Sequence, residues 1–304
     1  MKKIFLALVF GSAVLSAQAQ VQASKEMIQF YSQEWKGERF PDGRPKVSDD
    51  LVKRLKNISI EEAWGVMRGQ GYFNQFEAGW QMIRPDEPLA GRVVTAQYMP
   101  ARPDMENPIK AKGKEEGRKG NTNSWPIEVL KEGDVYVADG YGKIIDGTLI
   151  GDNLGNSIYA KSKNGVVFDA GVRDLEGLEE IKGFNAWVRG FDPSAIKDMT
   201  MTCINCPIRI GRSSVLPGDL VLAKKEGVIF IPAHLAEKVI TTAEFIALQD
   251  GFGHQMLREG KFTPGEIDSK WTDNIKTAFR QWCKDHPDRV FMSSADLEKF
   301  LSKE

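Results

Sequence analysis

The residues of this chain best suited to chemistry lie in one stretch of 24, GDNLGNSIYAKSKNGVVFDAGVRD, at 151–174. Asp152 stands at its start, and after twenty intervening residues come Arg173 and Asp174. An arginine keeps its charge and presents a planar fork of donors, which suits an oxygen that gains negative charge during a reaction. A single carboxylate is enough to hold Mg²⁺, an ion that prefers oxygen ligands and keeps several waters. A carboxylate acting through a water can move a proton to or from carbon. The loop Gly151-Asp152-Asn153-Leu154-Gly155 is bounded by glycines, and such a loop can turn consecutive N–H groups toward a carboxylate. Together these residue types suit a reaction that builds negative charge on an oxygen, which a fixed cation and a metal would stabilise. On their own, Arg173 and Asp174 would read as a helix-start aspartate beside a surface ion pair.

Such residues need a scaffold, and the surrounding sequence predicts one. Residues 134–139 (DVYVAD), 165–169 (GVVFD) and 186–189 have strand character, with short helices over 156–164 and 174–182. Residues 151–155 read as a loop. Three more short strands follow at 207–210, 219–223 and 228–231, with a Pro217-Gly218 turn after the first. Upstream, Ser59 and Glu62 form a capping-box pattern that starts a helix at Ile60. Residues 92–98 (RVVTAQY) read as a strand and 101–124, with KAKGKEEGRKG, as a long loop. Pro232 opens a helix in which Leu235, Val239, Ala243 and Ile246 recur near helical spacing, and 264–304 is helical again, with Ser293 and Asp296 at a cap. The class is α/β, with strands too short and close for a doubly wound dinucleotide fold. Gly140-Tyr141-Gly142 lacks the third glycine of a nucleotide fingerprint, and no P-loop is present.

Asp152, Arg173 and Asp174, the glycine loop, the run Val166-Val167-Phe168-Asp169-Ala170-Gly171 and the later PIRIGRSSVLPGDLVLAKKEGVIFIP occur in one order. In that order the sequence resembles the RraA-like family, over roughly residues 59–260. The family contains the regulator of ribonuclease E activity A and the divalent-metal-dependent 4-hydroxy-4-methyl-2-oxoglutarate aldolases. The resemblance implies a swivelling β/β/α sandwich, here with a helical C-terminal extension. It implies a homotrimer or homohexamer whose active site lies between subunits and takes the pyruvyl part of a 2-oxo acid. Asp174 would hold Mg²⁺ or Mn²⁺, and Arg173 would face the C2 oxygen. The amides of Asn153 and Leu154, between Gly151 and Gly155, would receive the substrate carboxylate, and Asp152 would orient a water. The implied activity is a class II pyruvate aldolase or lyase acting on 4-hydroxy-2-oxo acids, with decarboxylation of oxaloacetate as a related reaction. A non-catalytic regulator or binding protein, or a sugar-acid lyase, are the other activities the same fold would support. The family's aldolases bring a glutamate from a neighbour's C-terminal helix; Glu244 and Asp250 are the two candidates for that place, with no clear match to either, and His254 would line the cleft if the tail reaches it.

The rest of the composition narrows the setting. The 304 residues, 41% hydrophobic and 27% charged, suit a soluble globular chain. A formal charge of −1 offers no basic field for nucleic acid or anionic lipid. Lys2-Lys3, the apolar run of 4–15 and Ala17-Gln18-Ala19 follow the order of a secretory signal, too short to span a bilayer, so export or a periplasmic location after cleavage at Ala19 is expected. The expected organisation is a signal at 1–19, a surface arm at 20–58, an α/β domain at 59–232 and a helical extension at 233–304. Cys203-Ile204-Asn205-Cys206 is a CxxC at a segment that reads as extended, where residues three apart face opposite sides; no bond between its thiols is expected. Cys283 is a lone thiol on a helix, and His234, His254 and His286 show no metal spacing.

Overall fold

Side chains alternate across a pleated strand, and that alternation decides where this sheet lies. The computed structural model describes residues 21–302. At its centre four strands run parallel: Leu89–Pro100 (β1), Asp134–Thr148 (β2), Val166–Val172 (β3) and Ala186–Phe191 (β4). From β2, Tyr136 and Ala138 enter one buried cluster and Val135 and Val137 another; from β3, Phe168 joins the first and Val167 the second. Both faces are covered, as near-continuous apolar runs such as VVFDAGV require. Met199–Ile204 (β5) pairs antiparallel with β1, as does Leu220–Lys224 (β6), which pairs in turn with Gly227–Ile231 (β7). The two-residue strands Phe76–Glu77 and Gln81–Met82 complete a nine-stranded sheet.

The layers follow from the two faces. Ile158, Leu178 and Ile127, from helices Asp152–Ser162, Leu175–Glu179 and Trp125–Glu128, pack with Tyr136 and Phe168. Opposite, the small hairpin Ile208–Ile210 and Ser213–Val215 lays Ile208, Ile210 and Val215 over Val135, Val137 and Trp187. This is a β/β/α sandwich. Leu222 and Ile231 bury a third cluster against Val239, Ile240 and Ala243 of the helix Ala236–Arg258. The far end of that helix carries Phe252 into an aromatic cluster with Trp271, Phe279 and Trp282, so the C-terminal helices pack on the end of a helix rooted in the sheet.

Four expectations are corrected. Residues 101–124 are not a loop: Pro103–Glu115 is a helix and Thr122–Ser124 a 3-10 turn. Pro103 fits a first helical position, and the charges that read as a solvated tract form Glu106–Lys110 and Lys112–Glu115 ion pairs along the helix, at 2.7 and 3.0 Å. Gly113 lets the Trp125 ring lie against the helix, where a Cβ would overlap it. Second, the segment 20–58 is not confined to the surface. It forms helices Lys25–Tyr31 and Asp49–Leu55, and Val47, Leu55 and Ile58 are buried. Arg44 is fully buried, 3.0 Å from Asp134 and 2.9 Å from Asp42. Removing one member of such a buried pair typically costs ~3–5 kcal/mol, so this segment is structural. Third, the helix after Gly151 begins at Asp152 rather than at 156 and ends at Lys163 in the left-handed conformation (φ 54°). Fourth, the CxxC is not extended throughout: β5 ends at Ile204, Asn205 adopts φ 56°, and the bend leaves the two thiols near enough to shift each other's ionisation.

The signal and its cleavage site lie outside the described residues. Among the described residues no helix is long and apolar enough to cross a membrane.

Candidate active site

β3, paired on both sides, delivers Arg173 and Asp174 to the C-terminal end of the parallel strands, beside the segment that follows β2. Leu149 N–H donates to Gly171 O (3.0 Å) and Arg173 N–H to Ile150 O (3.1 Å), so the two segments leave the sheet together. Asp174 then takes a left-handed conformation (φ 56°, ψ 47°), a backbone state that costs a residue with a Cβ on the order of 1 kcal/mol or more. Its carboxylate lies against Gly151, where any Cβ would overlap Asp174 Oδ2. Arg173 Nη1 lies 3.3 Å from that oxygen, and both side chains stay partly exposed.

Gly151 is also the N-cap of Asp152–Ser162, with extended backbone and no capping side chain. Gly155 N–H is the first to close back, onto Gly151 O at 2.9 Å, so the preceding amides lie outside the helical ladder. The positive end of the helix dipole adds to them, which makes this helix start suited to a carboxylate. Asp152 Oδ1 accepts from the Asn153 amide at 2.7 Å. Gly155 and Gly177 let the helices Asp152–Ser162 and Leu175–Glu179 close together: a Cβ at 155 would overlap Leu178, and one at 177 would lie 2.7 Å from Asp152 Cβ.

A cleft of about 370 Å³ opens at this point. Gly151, Asn153, Leu154 and Arg173 line it. Asp174 lies against Gly151 at its side, Asp152 lies against Gly177, and Gly155 is buried under Leu178. The opposite wall holds residues that sequence reasoning missed: Asn121, Asn123 and Ser124, from the corrected 101–124 segment. Asn123 is buried and its Nδ2 donates to Leu149 O at 2.7 Å, tying that wall to the strand that leads into Gly151. The only signal for it was the polar run Asn121-Thr122-Asn123-Ser124, which follows a basic tract and reads as an ordinary loop.

The donors suit a hard divalent ion bound lightly. Among the described residues no group of three or more histidine, cysteine or acidic side chains could enclose a metal. Mg²⁺ and Mn²⁺ favour oxygen, and Mg²⁺ keeps waters, so one carboxylate could hold such an ion; Asp174, set against Gly151, is the carboxylate whose surroundings fit that use. Glu244 is committed elsewhere: it is buried and takes two donors from Arg54, at 2.6 and 2.9 Å. Asp250 and His254 are exposed on the same helix.

The RraA-like family, described as aldolase/RraA, matches residues 45–230. The chain belongs to that family. The match begins within the segment that Arg44 and Val47 anchor in the core. A relative from Thermus thermophilus, named 4-hydroxy-4-methyl-2-oxoglutarate aldolase, is 32% identical over 36% of this chain and 68% of its own length. A protein of Halalkalibacterium halodurans, provisionally named for the same activity, is 30% identical over 37% of this chain; the chain spans about half of that relative, 52%. The crystal structure of Streptomyces coelicolor RraAS2, described as an unusual member of the RNase ES inhibitor RraA family, superposes with a TM-score of 0.56 at 24% identity, covering 72% of this chain and 97% of that one. That likeness establishes the RraA-like fold.

Proposed function

We propose that this chain is a divalent-metal-dependent lyase that releases pyruvate from 4-hydroxy-2-oxo acids. The observation that carries the reading is the packing of Arg173 and Asp174 against Gly151, at the start of the helix Asp152–Ser162 and beside the cleft. The substrate carboxylate sits at the helix start, on the amides of Asn153 and Leu154. The Arg173 fork then meets the C2 oxygen. The water that Asp152 orients takes the proton of the C4 hydroxyl; as the C3–C4 bond breaks, C4 becomes the carbonyl of the departing product, the bonding electrons move onto C3 and the C2 oxygen, and Arg173 stabilises that charge. Asp152 orients the water that returns a proton to C3, giving pyruvate. Asp174 holds the ion, and a bound Mg²⁺ or Mn²⁺ polarises the C2 carbonyl. The same site would decarboxylate oxaloacetate, because that reaction leaves the same enolate.

The reading includes assembly and location. Met27, Phe30, Tyr31, Trp64 and Phe73 leave large apolar surface uncovered on a single chain, which supports a homotrimer or a pair of trimers. The chain acts outside the cytoplasm, on the strength of its first nineteen residues. The test is a coupled pyruvate assay on 4-hydroxy-2-oxo acids and oxaloacetate, with Mg²⁺ and then with EDTA. Turnover that EDTA abolishes supports the lyase. Silence on every 2-oxo acid would replace it with a non-catalytic binding role, for which the helix Pro103–Glu115 and the adjoining cleft wall are the available surface.

A further inference from the structure

The bend after β5 turns Cys206 back from the line of the strand that holds Cys203, and neither cysteine lines the cleft. In an unbroken strand, residues three apart lie ~10 Å from each other on opposite faces. Here Asn205, at φ 56°, turns the chain, and the turn is fastened to β1 from inside: Asn205 N–H donates to Thr95 O (2.8 Å) and Thr95 Oγ1 to Cys206 O (2.6 Å). Cys203 Sγ donates to the Ile204 carbonyl (3.5 Å), the two thiols are near enough to shift each other's ionisation, and both are only partly buried. We propose that Cys203 and Cys206 are a dithiol that closes to a disulfide by exchange with a disulfide oxidant, and that the bond clamps the point where the N-terminal segment joins the sheet.

The location gives the clamp its effect. Ile204, between the cysteines, accepts from Ala23 N–H (2.8 Å) and donates to Val21 O (3.0 Å). Asn205 Nδ2 reaches Asp42 Oδ2 (3.4 Å), and Asp42 holds the buried Arg44. The bend therefore seats both ends of the 21–44 segment, and fixing it withdraws the local opening by which that segment would detach. The chemistry has an order. The neighbouring Cys206 thiol lowers the Cys203 thiol from its ordinary range, with the Ala23 amide adding to the effect, while the same pairing and burial raise Cys206. Cys203 is therefore the attacking thiolate. It displaces one thiolate from the oxidant's disulfide and forms a mixed disulfide. Cys206 gives up its proton and attacks the Cys203 sulfur, and the second oxidant thiol leaves. One disulfide is reduced to two thiols as the protein's two thiols are oxidised. Cys283, buried and pushed up to about 11 by desolvation, is the internal control.

The experiment treats the reduced full chain with oxidised glutathione, quenches with an alkylating agent and maps the peptides by mass. The peptide holding Cys203 and Cys206 is expected to lose the mass of two hydrogens and carry no alkyl group, while Cys283 stays a thiol. Cys206→Ser is expected to stop at a glutathione adduct on Cys203. In hydrogen exchange, the amides of Ala23 and Ile204 are expected to slow on oxidation. Alkylation of both thiols, or a glutathione adduct in the unsubstituted chain that never resolves, overturns the disulfide. An adduct on Cys206 in Cys203→Ser but none on Cys203 in Cys206→Ser overturns the order. Unchanged exchange in a fully oxidised sample overturns the clamp.

Discussion

Gly151 and Asp174 are packed so closely that residue 151 has no room for a side chain: a Cβ there would overlap the Asp174 carboxylate. Gly151 sits at an ordinary extended φ of −120°, so the need for glycine comes from this contact and not from backbone strain. Gly151→Ala is therefore expected to push the carboxylate aside. Supporting contacts of this kind typically carry ~10- to 100-fold of metal affinity. The melting temperature should move little, since exchanging glycine for alanine at an N-cap costs about 1 kcal/mol or less. Calorimetric titration with Mn²⁺ would show it, and unchanged affinity would mean that Asp174 does not hold the ion.

The three charged residues should fail in different ways. Asp174→Asn removes the anionic ligand, so metal affinity and metal-dependent turnover should go together. Arg173→Lys keeps the charge and loses the fork, and losing one stabilising donor typically costs ~10²- to 10³-fold in kcat. Asp152→Asn should leave metal binding intact and slow proton transfer by ~10²- to 10⁴-fold. All three should stay folded, because each side chain is at least partly exposed. Near-native kcat and Mn²⁺ affinity in both Asp174→Asn and Arg173→Lys would remove the site assignment.

What could be read from the sequence was what depends on local pattern. The Ser59–Glu62 capping box is formed in both directions, Glu62 N–H to Ser59 Oγ at 3.0 Å and Ser59 N–H to Glu62 Oε2 at 2.8 Å. The alternation in DVYVAD marked β2, though not its continuation to Thr148. The spacing of Asp152, Arg173 and Asp174 marked one end of the sheet. What could not be read depends on tertiary contact. The left-handed turns at Asp174 and Asn205 fall on residues that take φ > 0 only when neighbours hold them. Asn123 reaches the cleft only because Pro103–Glu115 folds as a helix, and KAKGKEEGRKG, with its glycines, gives weak local support for that.

Asp219 should give the fold a pH dependence of its own. It is buried beside a second cavity of about 460 Å³, and desolvation raises its carboxyl from 3.8 to about 7 despite hydrogen bonds from the Leu216 and Ala233 amides. Between about pH 4 and 7 the folded chain keeps a proton that the unfolded chain has lost. This contribution to stability is therefore fully present below pH 4, falls as pH rises, and is gone above 7, a change on the order of a few kcal/mol. Asp219→Asn gives up one amide hydrogen bond and cannot titrate. Urea midpoints at steps from pH 4 to 8 should show wild type losing stability relative to the variant. A constant difference across that range would mean that Asp219 ionises normally.

The C-terminal helices should come loose without taking the site with them. Phe279 is fully buried and meets Phe245, Phe252 and Trp271 edge-on at centroid distances of 6.2, 5.4 and 5.2 Å, with Trp282 stacked at 6.3 Å. Truncating such a ring to alanine typically costs ~3–5 kcal/mol. The loss falls on a cluster separate from the one that covers Tyr136 and Phe168, and the helix Ala236–Arg258 links that cluster to the sheet. The Arg54–Glu244 pair and the contacts of Val239, Ile240 and Ala243 fasten the first half of that helix to the sheet. Phe279→Ala should therefore lower the unfolding temperature of residues beyond 258 and leave the first half of the helix in place. Hydrogen exchange resolved by peptide should show 265–302 opening early while 149–174 stays protected. Pyruvate release, measured per folded chain, should persist. If 149–174 opens together with the tail, the helices beyond 258 are part of the unit that holds the active site.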